Sequence, residues 1–108
     1  MSKIQKGNYY RLKTKKWLEK QGYCVENSEV NKICYFGGRL VCVHKDLFGS
    51  DLIATNNKEF ILIQSKTNKE DILDGVKKFK KYPFPAFIKR WVIRWELRAK
   101  APEITEVK

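Results

Sequence analysis

The stretch FGSDLIATNNKEFILIQSK, residues 48–66, decides how this chain folds. Two apolar runs, Leu52-Ile53-Ala54 and Phe60-Ile61-Leu62-Ile63, flank Thr55-Asn56-Asn57-Lys58, whose two asparagines suit a tight turn. They read as adjacent strands, and continuous apolar runs of this kind belong in a sheet covered on both faces. Polar groups stand at one end of both runs: Asp51 opens the first, and Gln64, Ser65 and Lys66 close the second. With the turn near Asn56-Asn57, positions 51 and 64 lie close to opposite one another, while 64 and 66 share a face.

Polar groups converging at the end of a buried sheet need partners, because an unpaired buried charge is costly. A divalent cation is the simplest agent. Asp51 offers a carboxylate, Gln64 an amide oxygen and Ser65 its backbone carbonyl, and water and phosphate complete the shell. Lys66, beside such an ion, is suited to orient or deprotonate an attacking water and to stabilise a pentavalent phosphate.

Outward from this hairpin, residues 67–82 (TNKEDILDGVKKFKKY) carry Ile72, Leu73, Val76 and Phe79 as a helical stripe. Asn68 with Asp71 resembles a capping box, and Pro83 and Pro85 end the helix. Residues 90–98 (RWVIRWELR) alternate, with Trp91, Ile93, Trp95 and Leu97 on one face and Arg90, Val92, Arg94, Glu96 and Arg98 on the other, which predicts a final strand. Trp91 and Trp95 suit the core, a dimer interface or base stacking. The remaining residues, 99–108 (AKAPEITEVK), lack a pattern and read as a frayed tail.

Upstream, Tyr10, Thr14, Trp17, Leu18 and Gln21 recur at helical spacing over residues 7–21, and Gly22 supplies a stop. Residues 23–30 alternate as a strand. Residues 33–43 hold Gly37-Gly38 between apolar runs, a hairpin or a bulge in one long strand. The order is helix, three to four strands, helix, strand: an α/β or α+β fold with a mixed sheet flanked by helices, in one domain over residues 1–98.

A net charge of +11 on 108 residues favours an anionic partner, nucleic acid before membrane. Lys13 and Lys16 on the first helix, Lys45 before the motif, and Lys69, Lys77, Lys78 and Lys81 on the second helix are candidate phosphate contacts. No apolar run reaches the roughly 18 residues of a membrane span, and no signal-peptide core follows Met1, so a cytoplasmic protein is expected. Three cysteines without a Cys-x-x-Cys, and a single histidine, argue against a disulfide framework and a structural zinc site.

Gly49-Ser50-Asp51, an apolar run, a turn, an apolar strand and Gln64-Ser65-Lys66 together resemble the PD-(D/E)XK nuclease superfamily, in the form of Holliday-junction resolvases and small VRR-type nucleases. The resemblance covers nearly the whole chain and implies a restriction-endonuclease-like fold and Mg²⁺- or Mn²⁺-dependent hydrolysis of DNA phosphodiesters. It further implies branched or structured DNA as substrate, a homodimer, and a phage or mobile-element origin, hence the host cytoplasm. It aligns Asp51 with the family's metal-binding acid, Gln64 with its second acid and Lys66 with its lysine. Two positions depart from the pattern. Gln64 removes a negative charge from the ligand set, and Arg11 stands where the family often has a first-helix glutamate, so Arg11 reads as a phosphate contact. Asp46 is a candidate replacement carboxylate, and His44 a candidate proton donor to the leaving group or a structural hydrogen-bonder. The departures also support an alternative: a non-catalytic nucleic-acid-binding module on the same scaffold.

Overall fold

The computed structural model describes residues 3–28 and 30–108, without the side chains of residues 3–4, 30–34, 36 and 41–45. Helix α1 (Lys3–Lys20) leads into strand β1 (Cys24–Asn27). Gly22, at φ 95°, ends α1. Its N–H donates to Glu19 and the next N–H, from Tyr23, reaches back to Leu18 at 3.1 Å, the paired bonds that close a helix through a left-handed glycine.

Strands β2 (Val30–Phe36) and β3 (Arg39–Lys45) form a two-stranded sheet of their own. Gly37 and Gly38 both have positive φ, 56° and 79°, so the Gly-Gly pair is a hairpin turn and not a bulge in one long strand. The single strand expected over residues 23–30 is thus split between β1 and the start of β2. Strands β4 (Leu52–Thr55) and β5 (Phe60–Lys66), helix α2 (Asp71–Lys80) and strands β6 (Ile88–Arg94) and β7 (Glu103–Glu106) complete the order.

The main sheet runs β1-β4-β5-β6-β7. Its β4-β5 hairpin is antiparallel, with Leu52 opposite Ile63 and Thr55 opposite Phe60. The turn between them is tied by Asn56, whose side-chain oxygen accepts the N–H groups of Lys58 and Glu59. Crossing through α2 returns the chain to β6, parallel to β5, with Lys66 opposite Arg94. The sheet is therefore mixed, and the two helices cover opposite faces. Leu18 of α1 packs on Leu52, Ala54, Ile61, Ile63 and Ile93, whereas Phe79 of α2 packs on Leu62 and Val92. The α+β class follows: a mixed sheet between helices.

Three local expectations are corrected. The last residues are no tail: β7 pairs antiparallel with β6, and Val107 is buried against Leu62, Val92 and Phe79. A frayed end would leave the far edge of β6 unpaired and Val92 uncovered. The strand expected over 90–98 stops at Arg94, so Leu97 is 81% exposed, while Val92 on the other face belongs to a second core. Finally, α2 has no capping box. Its N-cap is Glu70, without a side-chain cap bond, and Asn68 instead donates its amide to the Asp71 carboxylate at 3.4 Å.

Trp91 of β6 and Trp95 just beyond it both pack in the α1-side core. Trp95 is buried and donates its indole N–H to Thr14 Oγ1 at 3.0 Å, and Trp91 packs edge-on against Tyr23. They join α1 to the sheet, which removes the basis for a dimer interface or base stacking through them. No helix among the described residues is long and apolar enough to cross a membrane.

Candidate functional site

The site is built where β4 begins and β5 ends. Asp51 precedes Leu52, and its backbone is pinned on both sides: its N–H donates to the Ile63 carbonyl at 2.8 Å and its carbonyl accepts from Ser28 N–H at 3.0 Å. The segment before it is fixed by Ser50, fully buried, whose hydroxyl donates to the Leu47 carbonyl and shares a 2.8 Å bond with the Ser28 hydroxyl. From this platform the Asp51 carboxylate folds over the end of β5 and accepts the Ser65 N–H at 3.0 Å. In an extended strand a residue's N–H and C=O project to the same edge, so the Ser65 carbonyl faces the edge on which Asp51 lies.

Gln64 and Lys66 alternate with Ser65 and stand on the α2 face, as Leu62 does. Gln64 is 1% exposed. Its amide nitrogen donates to the Gly75 carbonyl at 3.3 Å, and its Oε1 is buried without a hydrogen-bond partner. Gly75 is the reason the glutamine fits under α2: a Cβ there would lie 2.7 Å from Gln64 Oε1, 3.2 Å from Val92 Cγ2 and 3.3 Å from Lys66 Cε. Asp51 and Ser65 are thus joined at one end of the sheet, with Gln64 and Lys66 beside each other on the α2 face of the same strand end.

Asp46 lies in the loop that leads into Asp51. One of its oxygens accepts the Gly49 N–H at 3.2 Å and the other pairs with Lys78 Nζ at 2.9 Å. The Lys78 stem crosses Gly49, at φ 83°, within 3.0–3.2 Å of where a Cβ would stand, so a side chain at Gly49 is excluded twice over. Phe48 packs edge-on against Tyr82 and Phe84, which fastens the loop to the end of α2. The Lys78 ammonium is held above the ordinary lysine range, first by its hydrogen bond to Asp46 and further by the charges of Asp46 and Asp51, against the opposing effect of burial. Lys78 is thus paired with Asp46 while 45% of its side chain stays exposed.

The other predicted residues are spread over two layers. Lys69, Lys77 and Lys81 are exposed on or beside α2. Arg11, Lys13 and Lys16 belong to α1, across the sheet from Gln64 and Lys66. The Arg11 guanidinium donates to Asn8 Oδ1, so Arg11 is held along its own helix. Lys13 lies over the Trp95 ring at 4.5 Å. The side chains of His44 and Lys45 lie outside the described residues.

Sequence reasoning missed Gly75 and the pairing of Lys78 with Asp46. Gly75 had a visible signal, since a lone glycine inside a helical stripe usually has a packing reason. Lys78 had none, being one of many lysines. Among the described residues no three His, Cys, Asp or Glu side chains converge, so a cation here would rely on one carboxylate with amide and backbone oxygens. Comparison with protein families, with curated proteins and with solved structures gives no match.

Proposed function

We propose that this protein is a divalent-metal-dependent endodeoxyribonuclease that hydrolyses DNA phosphodiester bonds at the Asp51–Lys66 end of the sheet. The observation that carries the reading is the buried Gln64 Oε1, an acceptor without a partner close to the Lys66 stem, one residue before the Ser65 N–H that the Asp51 carboxylate accepts. Leaving such an oxygen unsatisfied costs about 1–3 kcal/mol, which a hard cation would offset. Asp51, Gln64 Oε1 and the Ser65 carbonyl are the oxygens suited to hold Mg²⁺ or Mn²⁺, and such an ion, when bound, neutralises charge building on the phosphoryl oxygens.

The chain's own groups supply the rest. Lys66 orients the attacking water and stabilises the negative charge of the pentavalent phosphate. A water oxygen bonds to phosphorus as one ester oxygen departs, taking a proton, so one strand becomes a phosphate end and a hydroxyl end. The exposed lysines of α2 neutralise flanking phosphates, which should make affinity fall steeply with salt. The decisive test is a panel of linear, branched and single-stranded DNA with Mg²⁺ or Mn²⁺, run beside Asp51→Ala and Lys66→Ala. Metal-dependent cutting lost in both variants supports the reading, and a wild-type protein that cuts no substrate with either metal ends it.

A second reading is favoured by one specific contact. Lys78 already balances Asp46 and acts on Asp51, so the loop carries its own counter-charge. A nucleic-acid-binding module without chemistry would need no more, and it predicts salt-sensitive binding indifferent to metals.

A further inference from the structure

On the α1 side of the same sheet end lies a groove of about 530 Å³, lined by Lys6, Tyr9, Tyr10, Lys13, Leu97 and Arg98. Its place follows from the topology. Strands β5 and β6 are parallel with Lys66 opposite Arg94, so the chain leaving β6 into residues 97–98 emerges at the end of the sheet where Gln64 and Lys66 stand. Trp95, bonded to Thr14, brings α1 against that exit.

The composition of the groove is unusual for a solvated helix face. Tyr9 is 49% exposed with Tyr10 edge-on at 5.2 Å, and Leu97 is bare. Three cations surround them. Arg98 sits in the left-handed region at φ 63°, a conformation a non-glycine residue holds only where its surroundings impose it. A second hollow continues along α1 past Leu12 to Lys16. Residues 6, 9, 13 and 16 fall at steps of three and four, so one stripe of α1 presents lysine, tyrosine, lysine, lysine.

We propose that this groove binds single-stranded nucleic acid, with one unstacked base against Tyr9 and the adjoining phosphates on Lys6, Lys13 and Arg98. An acidic peptide would use the cations but leave the tyrosine and leucine surface wet. A duplex would offer only phosphates, its bases being stacked away from an aromatic side chain, whereas a single strand offers a π-face and a charge at every nucleotide. The volume suits one nucleotide and not a double helix. The inference extends the nuclease reading by assigning the strand that flanks the cut, and it rests on nucleic acid being the substrate.

The test is fluorescence anisotropy of a labelled oligothymidylate in EDTA, so that no metal chemistry intervenes. The wild-type protein should bind it more tightly than a duplex of equal length. Tyr9→Ala should weaken binding about tenfold, the scale of one lost base stack, while Tyr9→Phe stays near wild type. Arg98→Gln should weaken binding and flatten its salt dependence. Equal affinity of Tyr9→Ala and wild type, equal affinity for single strand and duplex, displacement by polyglutamate as easily as by oligothymidylate, or no binding at all would each overturn the proposal. Tyr9 and Arg98 are exposed enough that circular dichroism should report folded variants. Asp51→Ala separates the two readings: if it binds oligothymidylate normally and the wild type cuts nothing, the groove stands and the nuclease assignment falls.

Discussion

Asp51 and Ser65 are joined side chain to backbone: the Ser65 N–H donates to Asp51 Oδ2 at 3.0 Å across the mouth of the β4-β5 hairpin. The bond holds the carboxylate at the end of β5 before any ligand arrives, which is the preorganisation a charge-stabilising site needs. It also permits a clean substitution. An asparagine at this position would keep an acceptor for Ser65 and lose the charge, so Asp51→Asn should shift stability by less than about 1 kcal/mol in denaturant. On the proposed nuclease reading, metal-dependent cleavage should fall by about a hundredfold or more. Unchanged cleavage in a folded Asp51→Asn protein would remove the carboxylate from the chemistry.

Gln64 tests the proposed ligand set from the other side. Its amide N–H donates to the Gly75 carbonyl, and Gln64→Glu would set two acceptors against each other in a buried place. Without metal the variant should lose on the order of 2–4 kcal/mol, the cost of an unpaired buried charge. With Mg²⁺ or Mn²⁺ the restored charge should recover part of that loss, so the thermal midpoint of Gln64→Glu should rise with metal more than the wild type's does. Equal response of the two proteins would place the cation elsewhere.

Gly75 sets two effects of opposite sign in competition. Helix propensity alone makes Gly75→Ala stabilising by about 1 kcal/mol. The added Cβ, however, would lie 2.7 Å from Gln64 Oε1 and 3.2 Å from Val92 Cγ2, and overpacking of a tight core costs about 1–3 kcal/mol. The clash should win, and Gly75→Ala should melt lower than the wild type. Pairing it with Gln64→Ala frees the space, so the double variant should be more stable than the sum of the single losses predicts. Strict additivity would show that the two residues do not press on each other.

The hairpin that carries Asp51 and Gln64 was legible because every local signal agrees: apolar runs of strand length, a turn with two asparagines, and polar ends in matching register. Helix α2 was legible from its stripe, and the helix stop at Gly22 from its residue type. What the residues could not reveal depends on distant partners. Glu103–Glu106 has no period of its own and becomes β7 only because β6 offers an open edge. Val92 shares its strand face with arginines in the sequence, and only the packing of α2 and Val107 makes it core. The β2-β3 ribbon could not be told from a bulged strand, since both use a Gly-Gly pair. At the site, the spacing of Asp51 and Ser65 across the hairpin was legible from the turn, whereas Asp46 as partner of Lys78 follows from packing of the 46–50 loop on α2.

Away from the site, Glu59 accepts from Tyr23 Oη at 3.1 Å and pairs with Lys89 at 2.7 Å. These bonds, that from Lys89 foremost, hold its carboxyl below the ordinary glutamate range. A depressed folded value means stability that is present above the unfolded value of about 4.3 and is lost as pH falls through the folded one. The Lys89 ammonium is raised by the same contact, so its share persists below about 10.4 and disappears above. Glu59→Gln should flatten the acid limb of a stability-against-pH curve between about pH 5 and 3. An unchanged slope would assign acid sensitivity to other carboxylates.

The last strand makes the sharpest claim about the fold itself. Val107 donates its N–H to the Arg90 carbonyl at 2.8 Å and buries its side chain among Leu62, Phe79 and Val92. Val107→Ala should cost about 1–3 kcal/mol through the lost methyls and the cavity left behind. Removing residues 102–108 should do more, because it uncovers Val92 and turns β6 into an edge with a row of unpaired backbone groups. The truncated protein should melt well below Val107→Ala and aggregate with rising concentration in light scattering. A truncated chain as stable and monodisperse as the full one would mean that β7 adds nothing to the sheet, and that the core against α2 closes without Val107.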